Sequence, residues 1–182
     1  MLCDMLFGTL AGAAGTVALN ITTYADMAIR GRPSSQTPAK VAEKIAAGAG
    51  VDLAGQAGAS AQGQAPSDQN KQAAEHRASG LGVLLGYATG LGVGTAYGVV
   101  RLAVREVPVP LAGLLLGAAA MASSDVPAIK LGVTDPGEWG TSGWLADIVP
   151  HLAYGLVTAA VYEALARVVR PQPTPLRAFA RR

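Results

Sequence analysis

A chain of 182 residues with 51% hydrophobic and only 14% charged residues lies well below the charge content of about 25% usual in soluble domains. Its formal net charge of +2, spread over scattered Lys and Arg, excludes a nucleic-acid partner of the electrostatic kind. A single cysteine, Cys3, excludes an internal disulfide framework. No Cys/His group has metal-ligand spacing, so no metal and no other cofactor is expected.

The first apolar segment covers residues 5–24, long enough at about 1.5 Å per residue to cross a hydrocarbon core of about 30 Å. It carries Gly8, Gly12 and Thr16 at four-residue spacing. Asn20 follows, and in lipid its amide is expected to bond to another helix. No Lys or Arg precedes the run and no convincing small-x-small site follows it, so it reads as an uncleaved span rather than a signal peptide.

Residues 30–79 are the one sizeable hydrophilic loop. Thr37-Pro38 reads as a helix start, and a short amphipathic helix over 38–47 would place Val41, Ile45 and Ala46 on one face near the membrane surface. Residues 48–68 are Gly, Ala, Gln and Ser with little to bury, and read as a flexible spacer. Residues 69–77 form a helix-favouring lead into the second span.

That second span, 80–104, carries glycine at every fourth position: Gly82, Gly86, Gly90, Gly94 and Gly98. In a soluble helix each glycine costs about 1 kcal/mol relative to alanine. In hydrocarbon the helix is enforced, because unpaired amides find no water there. Glycine then lets two backbones approach in GxxxG fashion. Ala88, Gly92 and Ala96 form a second small face about 200° around the helix. Two small faces predict that this glycine-zipper helix is the centre of the bundle, its spare face available to a second copy or another membrane protein.

The third span, 109–129, begins at Pro108 and Pro110 and carries Gly113 and Gly117. Thr134-Asp135-Pro136-Gly137 reads as a turn. The fourth span, 146–169, carries Gly155 and places Pro150 in its first turns, where proline is tolerated. Residues 171–182 form a basic tail. The expectation is an all-α integral membrane protein, a four-helix transmembrane bundle with one long extramembrane loop and the lipid bilayer as its surroundings.

A faint internal repeat runs through these spans. Gly90-Leu91 precedes Tyr97 and Arg105 at the spacing by which Gly155-Leu156 precedes Tyr162 and Arg170; Leu10-Ala11-Gly12 resembles Leu111-Ala112-Gly113. Two helical hairpins in parallel orientation would produce this pattern. Positive charges number seven on either side, so orientation rests on those in short loops and close to span ends. The brief second loop and the arginine-rich tail then put both termini in the cytoplasm, with Trp139 and Trp144 at the opposite interface.

A charge at mid-membrane costs about 2.5–3.5 kcal/mol on the insertion scale, so ionisable groups in the spans are the functional candidates. Asp26, Asp125, Asp147 and His151 fall at similar depth on the outer side, where they could form a polar cluster. Asp147 and His151, four residues apart, share a helix face. They either fix a helix end at the headgroups or hold a proton between carboxylate and imidazole. Glu163 has Arg167 one turn on and is expected to pair with it. No nucleophile-base arrangement and no phosphate loop is visible, so an enzyme is disfavoured and no catalytic residue is assigned.

The run Asp147-Ile148-Val149-Pro150-His151-Leu152-Ala153-Tyr154, with Gly132-Val133-Thr134-Asp135-Pro136 and Trp139 before it, resembles the YagU-like bacterial inner-membrane proteins. Residues Ala11-Gly12 through Arg32-Pro33 are similar to that family more weakly. The resemblance implies four spans in a bacterial cytoplasmic membrane and no known catalytic residue. The 48–68 spacer and Pro150, where the family more often has glycine, depart from its pattern. Two functions are therefore expected: a structural or assembly role as a subunit or homo-oligomer, or a small proton-linked transporter or channel using the Asp/His group.

Overall fold

The computed structural model describes residues 1–53, 68–104 and 106–169. It contains five α-helices and, among the described residues, no strand. They are α1 (Leu2–Arg30), α2 (Thr37–Gly48), α3 (Asp68–Ala103), α4 (Val109–Lys130) and α5 (Gly140–Val169). A single 3-10 turn, Pro136–Glu138, lies before α5, opened by Asp135, whose side chain accepts from the Gly137 amide at 2.8 Å. Residues 54–67 of the expected spacer and the whole 171–182 tail lie outside the described residues.

Four helices, all but α2, are long and apolar enough to cross a membrane. Their packing gives an independent reason to place them there. The buried positions are mostly Gly, Ala, Thr and Tyr, with Leu116 the only large aliphatic residue among them. The large aliphatics face outward: Leu6, Leu10, Val17 and Ile21 on α1, Val83 and Leu84 on α3, Leu114 and Leu115 on α4, Ile148 and Leu156 on α5. Water would penalise so wide an apolar surface, whereas hydrocarbon accepts it. The chain is an all-α, multi-pass membrane protein.

α1 and α5 form a central antiparallel pair, flanked by α3 on the α1 side and α4 on the α5 side. α3 and α4 meet over only a short stretch. The glycine-rich α3 is therefore not the centre of the bundle, as its sequence suggested. Its glycines are used against one neighbour, and its second small face stays open. Glycine spacing reports how closely a helix can be approached; it does not say how many helices do so.

The α1–α3 seam is closed by Gly8 and Gly12 against Gly90, Gly94 and Gly98. A Cβ on Gly12 would lie 2.6 Å from the Gly90 carbonyl oxygen, and one on Gly94 2.6 Å from the Gly12 Cα. The α4–α5 seam is closed by Gly113, Gly117 and Gly155; a Cβ on Gly117 would lie 2.7 Å from the His151 carbonyl oxygen. Gly82 instead abuts the Pro38 backbone of α2, and Gly86 has open space around it. Of the expected packing glycines, Gly86 is the one the fold leaves unused.

The two seams share a register. In the first, Gly90 faces Thr16; in the second, Gly155 faces Gly117. Setting Gly12 on Gly113 and Gly90 on Gly155, as the repeat does, makes these contacts equivalent. The repeat-related Tyr97 and Tyr162 also meet each other edge to face, with ring centroids 5.0 Å apart.

Three local expectations need correction. α2 packs on α3 and buries Ala42 and Ala46, while Ile45 is exposed and Val41 only half-buried. α5 begins at Gly140, so Pro150 lies inside it and leaves the Ala146 carbonyl without its usual amide. Asn20 makes no hydrogen bond to another helix among the described residues, and stays half-buried on α1.

Candidate functional site

The polar side chains gather at the two ends of the bundle. At the turn end lie the close of α1, the 131–139 connection and the start of α5. The opposite end holds the beginning of α1 and the close of α3 and α5.

At the turn end, Asp147 and His151 stand one turn apart on α5. Their Oδ1 and Nδ1 atoms are 3.2 Å apart, and Nδ1 is also 2.8 Å from the Asp147 carbonyl oxygen. Asp125 of α4 comes within hydrogen-bonding reach of the Asp147 carboxyl, with the Ser124 hydroxyl beside it. The Asp147 Oδ2 atom is buried and meets no donor in a geometry that satisfies it. No Lys or Arg pairs with Asp125 or Asp147 among the described residues. An ionised carboxylate only accepts, so a hydrogen bond between two carboxyls needs a proton on one of them. Three groups from two helices thus share a place where the removable charge is a proton.

Asp26 is not part of this group. It is held by Arg30, at 2.5 Å from Nε, and by Arg32. Arg30 reaches on to the Ser142 hydroxyl at 2.8 Å, tying the end of α1 to the start of α5. Asp26 and Arg30 line a shallow pocket together with Leu145, Val149 and Pro150. Similar depth in the sequence placed Asp26 with the others, but the helical phase of α1 and two nearby arginines turn it into an interfacial ion-pair anchor.

Proline interrupts both helices of the cluster. Pro127 follows Asp125 by two residues and Pro150 follows Asp147 by three, and neither ring can donate to the preceding turn. The site sits where the hydrogen-bond ladders of α4 and α5 are incomplete. Trp139 and Trp144 pack together nearby in sequence, with centroids 5.0 Å apart, and the Trp139 indole donates to Thr134 at 2.7 Å.

The opposite end is built differently. Arg101 of α3 is buried and donates to the Tyr97 hydroxyl at 2.8 Å and to Glu163 of α5 at 3.1 Å. Its guanidinium lies 5.1 Å from the Tyr162 ring centroid, within cation–π range. Glu163 also takes Arg167 at 3.2 Å, so the expected pair forms but is only half of a three-residue bridge. Tyr162 donates to the fully buried Asp4 of α1 at 3.1 Å. Sequence reasoning missed Asp4, Tyr97 and Tyr162 as polar partners. Arg101 entered the sequence reading only among the seven positive charges of one side, although a charge inside a span demands a partner.

Between the ends, Tyr154 and Thr158 of α5 are almost wholly buried. Tyr154 donates to the Gly90 carbonyl at 2.6 Å, reaching α3 across the bundle. Asp147, His151, Tyr154, Thr158 and Tyr162 fall within about 80° of one another around α5. They form a polar stripe facing the interior.

No protein-family model matches the chain, and no match is found among curated proteins or solved structures. Fold and site together define a class: a small all-α, multi-pass membrane protein with a titratable group between two of its helices.

Proposed function

We propose that the protein is a proton-linked membrane protein, a small transporter or channel whose Asp125–Asp147–His151 group takes up and releases a proton. The observation that carries this reading is the convergence of two carboxyls and an imidazole from α4 and α5 with no Lys or Arg among them. An imidazole ordinarily changes charge in the physiological range, and a neighbouring carboxylate stabilises its charged form. The groups facing it are Asp147 from α5 itself and Asp125 from α4. From the end of α1 come Asp26 and Arg30, which line a pocket with Leu145 and Val149 and are paired with each other, Arg32 just beyond the helix pairing with Asp26 as well.

The test is a nitrogen NMR titration of the His151 ring in nanodiscs, for wild type and Asp147→Asn. A His151 titration that moves in the variant supports the proposal. A ring whose signal is the same in both proteins across about pH 5 to 8 contradicts it.

A second reading is favoured by a separate observation. Gly92 has open space where a Cβ would go, and Ala88 and Ala96 are exposed on the same side of the helix. That face of α3 suits a helix of a second copy or of another membrane protein, in the GxxxG manner. Disulfide cross-linking of Gly92→Cys in native membranes tests it, a chain-sized ladder supporting self-assembly and purely monomeric protein opposing it. Similarity to the YagU-like proteins, a bacterial inner-membrane setting and cytoplasmic termini fit both readings and belong to the same proposal.

A further inference from the structure

We infer that α5 carries an internal proton path, running from the Asp125–Asp147–His151 group through Tyr154 and Thr158 to Tyr162, with Asp4 and Glu163 as acceptors at the opposite end. The inference rests on the proton-linked reading and extends it from a site to a route.

The first support is alignment. The five polar residues of α5 share one interior face, and successive members lie three or four residues apart, about one helical turn. The second is the state of Thr158. Its side chain has no exposed surface, yet its Oγ1 has no partner of hydrogen-bonding geometry, although the Tyr154 hydroxyl is beside it. Buried polar atoms are nearly always paired, and a mid-membrane one has no bulk water to turn to. An oxygen with a free lone pair between two titratable groups is what a proton relay needs.

Packing defines what can travel. A Cβ on Gly15 of α1 would collide with Thr158 Oγ1 and come within 2.8 Å of the Tyr154 carbonyl oxygen. Thr158 is therefore packed directly against α1, with no room beside it there for a hydrated ion. A proton needs none, because it moves by exchange along hydrogen bonds. In each step a donor O–H or N–H bond breaks as an O–H bond forms on the next oxygen. The accepting hydroxyl passes its own hydrogen onward, Tyr154 first turning its hydrogen from the Gly90 carbonyl to Thr158, and rotation of the hydroxyls restores the starting state. The balance is one proton lost by the Asp147–His151 pair and one gained by Asp4 or Glu163. The spacing of one turn is closed by rotamer changes of the side chains.

The charged and titratable groups facing the route are few. From the α1 end they are Asp4, which accepts from Tyr162, and the Met1 amino group, 3.2 Å from Asp4; from α3, Arg101 and Tyr97; from α4, Asp125; from α5 itself, Asp147, His151, Tyr154, Tyr162, Glu163 and the Arg167 that pairs with it. Arg101 is bridged to Glu163 and stacked on the two tyrosine rings at the far end of the stripe.

The experiment uses the full chain in proteoliposomes containing a pH-sensitive dye, with a pH step applied and K⁺ plus valinomycin to hold the membrane potential. Wild type is expected to acidify the lumen, and to pass no Na⁺ or Cl⁻. Thr158→Val keeps the shape and removes the hydroxyl; it should reduce the proton flux at least tenfold, while Thr158→Ser retains it. Tyr154→Phe should reduce the flux as well, and covers the case in which Thr158→Val fails to fold. Equal flux in wild type, Thr158→Val and Tyr154→Phe overturns the path. So does absence of flux in wild type when the His151 titration is present, which leaves the proton site standing without a route. Absence of both removes the underlying reading too.

Discussion

The two ends of the bundle hold their charges in opposite ways. At the end formed by Asp4, Arg101 and Glu163, a permanent cation sits among carboxylates and two tyrosine rings, and every charge has a fixed partner. At the turn end, Asp125, Asp147 and His151 face one another with no guanidinium or ammonium in the group. The first arrangement holds helices together through fixed ion pairs. The second changes its charge when a proton arrives or leaves. A single stripe of α5 runs from one to the other, so the same helix carries a structural charge network and a titratable one.

That contrast is broken most severely by Glu163→Gln, which leaves Arg101 buried beside a neutral amide. Removing one partner of a buried pair costs about 3 kcal/mol or more, and the loss should show as a lowered unfolding midpoint in detergent. Asp147→Asn, at the other end, is expected to change stability by less than about 1 kcal/mol, because no fixed counter-charge is abandoned there. Equal losses in the two variants would erase the distinction.

Next in size is Gly155→Ala. Its Cβ would press into the Gly113 carbonyl and the Gly117 backbone, so α4 and α5 must move apart, costing about 2 kcal/mol. Gly86→Ala meets nothing and should fall within about 0.5 kcal/mol of wild type. The pair separates glycines that close a seam from one that merely shares their spacing. Tyr154→Phe comes last, with the loss of one buried hydrogen bond to Gly90 worth about 1 kcal/mol in unfolding measurements.

The four spans were legible because hydrophobic length and glycine content are local properties. Their partners were less so. The repeat that sets Gly12 on Gly113 and Gly90 on Gly155 does find its counterpart in two seams of like register, but nothing in the spacing told which helix each stripe would meet. α3 was read as central on the strength of its two small faces, and it lies at the edge. The candidate site was half visible. Asp147 and His151 sit at a spacing that any helix brings together, and Asp125 joined them because α4 continues to Lys130. Asp26 did not, since its grouping rested on depth alone, and depth carries no information about which side of a helix a residue occupies. Tyr154, Thr158 and Tyr162 continue the Asp147–His151 face at turn intervals, a signal that was present but is shared with ordinary packing residues. Asp4 and Arg101 become partners only through α1, α3 and α5 meeting at one end, which is a tertiary fact.

The most direct measurement is a proton-uptake titration of the purified protein in nanodiscs between about pH 8 and 5, wild type against Asp147→Asn and His151→Gln. His76 is exposed and common to all three proteins, so the difference between the curves reports the substituted group. The account predicts that each variant takes up fewer protons than wild type over that range, by up to about one per chain, with its thermal stability nearly unchanged. Superimposable uptake curves for the three proteins would contradict it.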